Sequence, residues 1–160
     1  MNGRDFVAER LEIEAAAAQR HIDEREQFKN DIQRRLRVGA ETEISLNYAQ
    51  DALAQSTRNL NAIGQKLSLR QKFLDKSVDQ KAISVELQKL ELQNDVQQLV
   101  EQLDTALRGE SLVHKRQAAG LATELEVKRA EVEVLERKSE LEQLRPQLQA
   151  VLAAQKYRKN

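Results

Sequence analysis

"RRLRVGAETEIS" runs from Arg34 to Ser45, and "KRQAAGLATELE" runs from Lys115 to Glu126. Laid over each other, Gly39 meets Gly120, Thr42 meets Thr123, Glu43 meets Glu124 and Ile44 meets Leu125. Each stretch has the chemistry of a helix ending and another beginning. Glycine accepts the left-handed conformation that closes a helix C-terminus. Threonine three residues later caps the next helix by accepting one of its orphan amides. Thr123 is followed by Glu126 at the capping-box spacing. A chain that carries this elbow twice is read as two helical hairpins, one spanning about residues 4–77 and the other about 83–156.

The flanks of both elbows carry helical periodicity. Ala49, Leu53, Ser56, Leu60, Ile63, Leu67, Arg70 and Leu74 step alternately by four and three, which is a heptad seam. Leu92, Val96, Leu99, Leu103 and Ala106 repeat the spacing, as do Leu141, Leu144, Leu148 and Val151. In the first helix Val7, Leu11, Ala15, Ala18 and Ile22 form the stripe, with Phe28, Ile32 and Leu36 on a shifted register. Stripes this narrow must face other helices. Between the two middle segments, "LDKSVDQKAISVEL" (Leu74 to Leu87) breaks the heptad without Gly or Pro and offers Ser77 or Ser84 as a cap. With a turn there, the chain is four antiparallel helices of about 35 residues, each roughly 50 Å long; without it the middle two fuse into one rod. Gly64 and Gly109 fall inside helices, and Pro146 is expected to kink the fourth helix without ending it. The expected fold is all-α: four long helices in an elongated, coiled-coil-like bundle.

Composition narrows the function. Lysine and arginine total 26 and acidic residues total 26, so the net charge is zero. Phosphate binding draws on a basic surplus, so nucleic acid is not an expected partner. Aromatic residues make up 3% and there is no Trp, too few rings for a base-stacking platform. No apolar run approaches the ~20 residues of a membrane-spanning helix. The opening "MNGRDFVAER" lacks the apolar stretch of a secretory signal. The chain has no cysteine, which excludes thiol chemistry.

Catalysis finds no foothold. Glycine-rich phosphate loops and nucleophile elbows are absent from the sequence. His21 and His114 are far apart and read as solvated residues on helix faces. Carboxylates read as a solvated charged face, Glu133 with Arg137 being one supporting pair. No cofactor and no metal site is expected, and the chain is read as non-enzymatic.

With an up-down-up-down path, both glycine elbows fall at one end of the bundle. Arg34, Arg35 and Arg37 precede the first elbow; His114, Lys115 and Arg116 precede the second. Cations at helix C-termini complement the macrodipole. The sharper alternative is that the two like-shaped, basic-edged tips form one docking surface.

The doubled stretch, "RLRVGAETEISLNYAQDAL" with "RQAAGLATELEVKRAEVEVL", resembles the periplasmic tips of outer-membrane efflux proteins of the TolC family, itself an internal duplication of helical hairpins. The matching positions are Val38, Gly39, Ala40 and Thr42 in one copy and Ala119, Gly120, Leu121 and Thr123 in the other, followed by Val127 and Ala130. The resemblance implies that these eight tip residues meet the helical hairpin of a periplasmic adaptor, that the chain works in the cell envelope, and that it takes part in export. The acidic residue that the family often carries six positions after the tip glycine is Ser45 in the first copy and Glu126 in the second. The chain has no alternating apolar segments of ~10 residues like those with which the family crosses the outer membrane. "RQKFLDKSVDQKAISVEL", with Arg70, Leu74 and Ser84, is more loosely similar to the hairpin tips of the adaptors themselves. The alternative reading is a structural or self-associating coiled-coil scaffold with no export role, since heptad stripes on long helices often pair between chains.

Overall fold

A computed structural model describes residues 5–76 and 79–158. The fold is all-α. Four helices follow one another: α1 (Phe6–Arg37), α2 (Glu43–Leu74), α3 (Gln80–Ala118) and α4 (Glu124–Arg158). They contain 32, 32, 39 and 35 residues, so each is about 50–60 Å long.

Every helix start has a chemical cause. The Asp5 carboxylate caps α1 by accepting the Val7 amide at 3.1 Å. Thr42 caps α2 through the Ser45 amide at 3.2 Å. Asp79 caps α3 through the Ala82 amide at 2.7 Å. The break between α2 and α3 is therefore a true turn, and the middle helices do not fuse. Of the two serines expected to cap α3, Ser84 lies inside the helix, and Ser77 is outside the described residues. The turn carries no glycine signal: a lysine, Lys76 (φ 55°), takes the left-handed position that glycine usually marks. Gly64 and Gly109 lie within helices. Pro146 lies inside α4, which continues to Arg158.

The helices pack in series, α1 on α2, α2 on α3, α3 on α4, and the two seams within hairpins are more extensive than the seam between them. Among the described residues α1 and α4 make no close backbone approach, so the bundle is open. The buried apolar residues are Ala18, Ile32, Ala49, Ile63, Ala106, Val127, Val134 and Leu141. Val127, Val134 and Leu141 repeat at one-heptad spacing, which extends the expected α4 stripe toward the second elbow. Three residues of the expected stripes, Val7, Phe28 and Leu74, are exposed. Val7 and Leu74 sit at helix ends, where a packed neighbour covers only one side.

Two polar residues on the α2 stripe have local explanations. The Ser56 hydroxyl donates to the Ala52 carbonyl of its own helix at 3.1 Å. Arg70 reaches back to α1, donating to both oxygens of Asp5 at 2.9 and 3.1 Å, with its guanidinium 5.1 Å from the Phe73 ring centre. The carboxylate that caps α1 thus also locks the open end of the first hairpin.

The α2–α3 seam is polar. Asn47, buried, donates to the Thr105 carbonyl at 3.0 Å and accepts from Arg108 Nε at 3.1 Å. Thr105 donates to Asp51 at 3.1 Å. Arg58 pairs with Glu101. Asn94 donates to Gln65 at 3.4 Å, and Lys66 lies 3.8 Å from Glu91. These pairs specify an antiparallel register between the hairpins.

Candidate functional site

The two elbows are built alike. At the first, Gly39 (φ 72°) donates its amide to the Leu36 carbonyl at 3.1 Å and the Ala40 amide reaches the Arg35 carbonyl at 2.9 Å. At the second, Gly120 (φ 72°) donates to Gln117 at 2.9 Å and Leu121 to Arg116 at 2.8 Å. This paired bonding is a Schellman ending, and it satisfies carbonyls that the helix would otherwise leave open. Thr42 then caps α2, and Thr123 caps α4 by accepting the Glu126 amide at 3.2 Å.

The antiparallel path brings both elbows to the same end of the bundle. They are not level. The α2–α3 pairs set Thr42 beside roughly residue 114 of α3, and α3 runs on to its C-cap Ala119, so the second elbow stands roughly 6–8 Å farther out at 1.5 Å per residue. Bulk is exchanged across the glycine. Val38 precedes Gly39 and is 78% exposed, whereas Leu121 follows Gly120 and is 67% exposed. Ala40 and Ala119 fill the complementary small positions, also exposed.

The carboxylate at each tip comes from a different place. Glu126 completes the capping box: its carboxylate accepts the Thr123 amide at 2.7 Å and the Thr123 hydroxyl at 2.9 Å. The first copy has Ser45 at that position. There Glu41, which precedes the cap, supplies the charge. It accepts the Ser45 hydroxyl at 2.7 Å and the Thr42 amide at 3.2 Å. Both tips therefore place one carboxylate over a helix N-terminus, where the dipole favours it. Ser45 aligns with Glu126 in sequence, but the counterpart of Glu126 in the fold is Glu41, which no linear alignment of the two elbows pairs with it.

The hydrogen bonds hold both carboxyls below the usual glutamate value. For Glu41 the Ser45 hydroxyl matters most, then the Thr42 amide, with Arg35 adding. For Glu126 the Thr123 amide matters most, then its hydroxyl, with Arg116 and Arg129 adding. A lowered folded pKa means that each cap is fully formed above the ordinary glutamate range and weakens as pH falls through the lowered value. Carbon-13 titration of Glu41 and Glu126 should give midpoints below the free value of about 4.3. Midpoints at or above it would mean that the caps do not form.

His114 is exposed but does have neighbours at ligand range: its Nε2 lies 3.9 Å from a Glu110 oxygen one turn back on α3 and 3.7 Å from a Glu131 oxygen on α4. Glu110 is legible at the i,i+4 spacing; Glu131 reaches it only through the folded hairpin. His21 is exposed on its helix face, with Glu24 at 3.5 Å. Arg137 does not pair with Glu133; it donates to Glu140 at 3.0 Å.

Fold and site together define an all-α protein of two antiparallel hairpins with twin glycine–threonine tips at one end. Among the described residues no helix is long and apolar enough to cross a membrane. No protein-family model, curated protein or solved structure matches the chain.

Proposed function

We propose that this protein is a non-enzymatic docking component of the bacterial cell envelope, related to export, which receives the helical hairpin of a periplasmic adaptor on its two tips. The observation that carries the reading is the repeated tip: the same Schellman ending and threonine cap at one end, each presenting an exposed apolar residue beside a capped carboxylate. Val38, Gly39, Ala40 and Thr42 form one half of the contact and Ala119, Gly120, Leu121 and Thr123 the other. A pair of apolar knobs on rigid helical stems suits a partner that is itself a helix pair, because side chains from two helices can interdigitate around them. The test is Val38→Asp with Leu121→Asp, which changes exposed side chains and leaves both glycine elbows intact. Affinity for an adaptor hairpin domain, measured by interferometry, should fall at least tenfold with circular dichroism unchanged. A double variant that binds as well as the parent would remove the reading, as would a parent that does not bind.

One observation favours self-association as a second reading. The chain exposes 11289 Å², whereas a compact monomer of its 18.3 kDa mass exposes about 8,100 Å². Among the described residues no large side chain is fully buried, and Leu125, Val132 and Leu135 lie exposed on α4. Surface of that kind is covered in stable helical assemblies. Light scattering tests it: a stable dimer is expected, and a monomer to high concentration leaves self-association without support.

A further inference from the structure

We propose that Glu110, His114 and Glu131 form a divalent-cation site of the zinc class that ties α3 to α4 just below the second tip. The three side chains each offer one ligand atom, and these atoms lie within 4.8 Å of one another. Glu110 and His114 share a helix face one turn apart, and Glu131 comes from the facing helix. The separations are the informative quantity. At 3.7 and 3.9 Å the His114 Nε2 is too far from either carboxylate oxygen for a hydrogen bond. It stands near the spacing of ligands that share one ion. Two atoms bound to zinc at about 2.0–2.2 Å in tetrahedral geometry are about 3.3–3.6 Å apart, so rotations of exposed side chains close the difference.

The donor set points to the ion class. One imidazole with two carboxylates suits zinc and its neighbours in the first transition row, whereas magnesium and calcium favour all-oxygen shells. Three ligands leave at least one position for water. Glu110 is the most covered, at 26% side-chain exposure, and His114 and Glu131 are each 47% exposed, so the ion would enter from solvent without opening the hairpin. The duplication supplies an internal comparison. The corresponding positions of the first hairpin are Lys29, Gln33 and Gln50, which make no such set. The site is a feature of the second hairpin alone, and it stands independently of the docking reading.

The full chain, stripped with a chelator and dialysed, would be titrated with zinc by calorimetry and with cobalt(II) by visible absorption. One ion per chain is expected, with cobalt giving the d–d bands of a low-coordinate site. His114→Ala and Glu131→Gln should each weaken zinc binding at least tenfold, and His21→Ala should leave it unchanged. Circular dichroism confirms that the variants remain helical. Absence of saturable zinc binding would overturn the site, and so would binding that survives His114→Ala or is lost with His21→Ala.

Discussion

Valine at both Gly39 and Gly120 is expected to destabilise the fold by about 2–4 kcal/mol, at about 1–2 kcal/mol per elbow. Both glycines sit at φ 72°, where an L side chain meets its own backbone. Neither site is crowded: a Cβ built on either glycine has nothing within 4 Å. The cost therefore comes from the backbone alone. That separates it from a cavity or overpacking effect, and it predicts an order among substituents. Asparagine tolerates the left-handed region and should cost least, alanine more, and β-branched valine most. The elbows belong to different hairpins and share no partner, so the two losses should add. Helical content should change little, because the helices are held by their seams and only the elbows are strained. Urea denaturation of the single and double variants measures this. If valine proved as cheap as asparagine, the left-handed elbows would not exist in solution.

Arg58→Ala is expected to cost about 2–3 kcal/mol, which for a chain of this size lowers the melting temperature by about 4–12 °C. Arg58 lies midway along α2 with its side chain only 13% exposed, and it pairs with Glu101 of α3, itself 31% exposed. Its two terminal nitrogens have no other partner among the described residues. Burial pulls the guanidinium below the ordinary arginine value, partly offset by the nearby Asp51. Truncation would leave the largely covered Glu101 carboxylate without its counter-charge, and would remove the aliphatic stem that fills the seam. The expected loss is below the 3–5 kcal/mol typical of a fully buried pair, because Glu101 retains contact with water. Replacing both partners with apolar residues, Arg58→Met with Glu101→Leu, should recover most of the loss, since neither charge then needs solvation. A single variant within 0.5 kcal/mol of the parent would show that the pair does not form in solution.

This pair matters beyond its energy because it lies between the hairpins. An apolar α2–α3 seam would slide by a heptad at little cost, since one leucine resembles the next. The Arg108 bond to Asn47, the Thr105 bond to Asp51 and the Arg58–Glu101 pair each need a particular side chain opposite and are lost one heptad out of place. The polar seam therefore specifies how far the second tip stands beyond the first.

The sequence by itself determined the helices, the two glycine elbows and the threonine caps. Each depends on atoms within about five residues, namely the left-handed freedom of glycine and a side-chain oxygen beside a free amide. The same locality explains why the third turn was harder to read, with Lys76 in the position of glycine and Asp79 as the cap. Only the tertiary structure decided that the four helices form an open series, that the tips are staggered, that Glu41 does in one tip what Glu126 does in the other, and that Glu131 reaches His114. Those outcomes depend on which face of each helix meets which neighbour. Heptad stripes of similar leucines and alanines leave that choice nearly degenerate until all four helices pack at once.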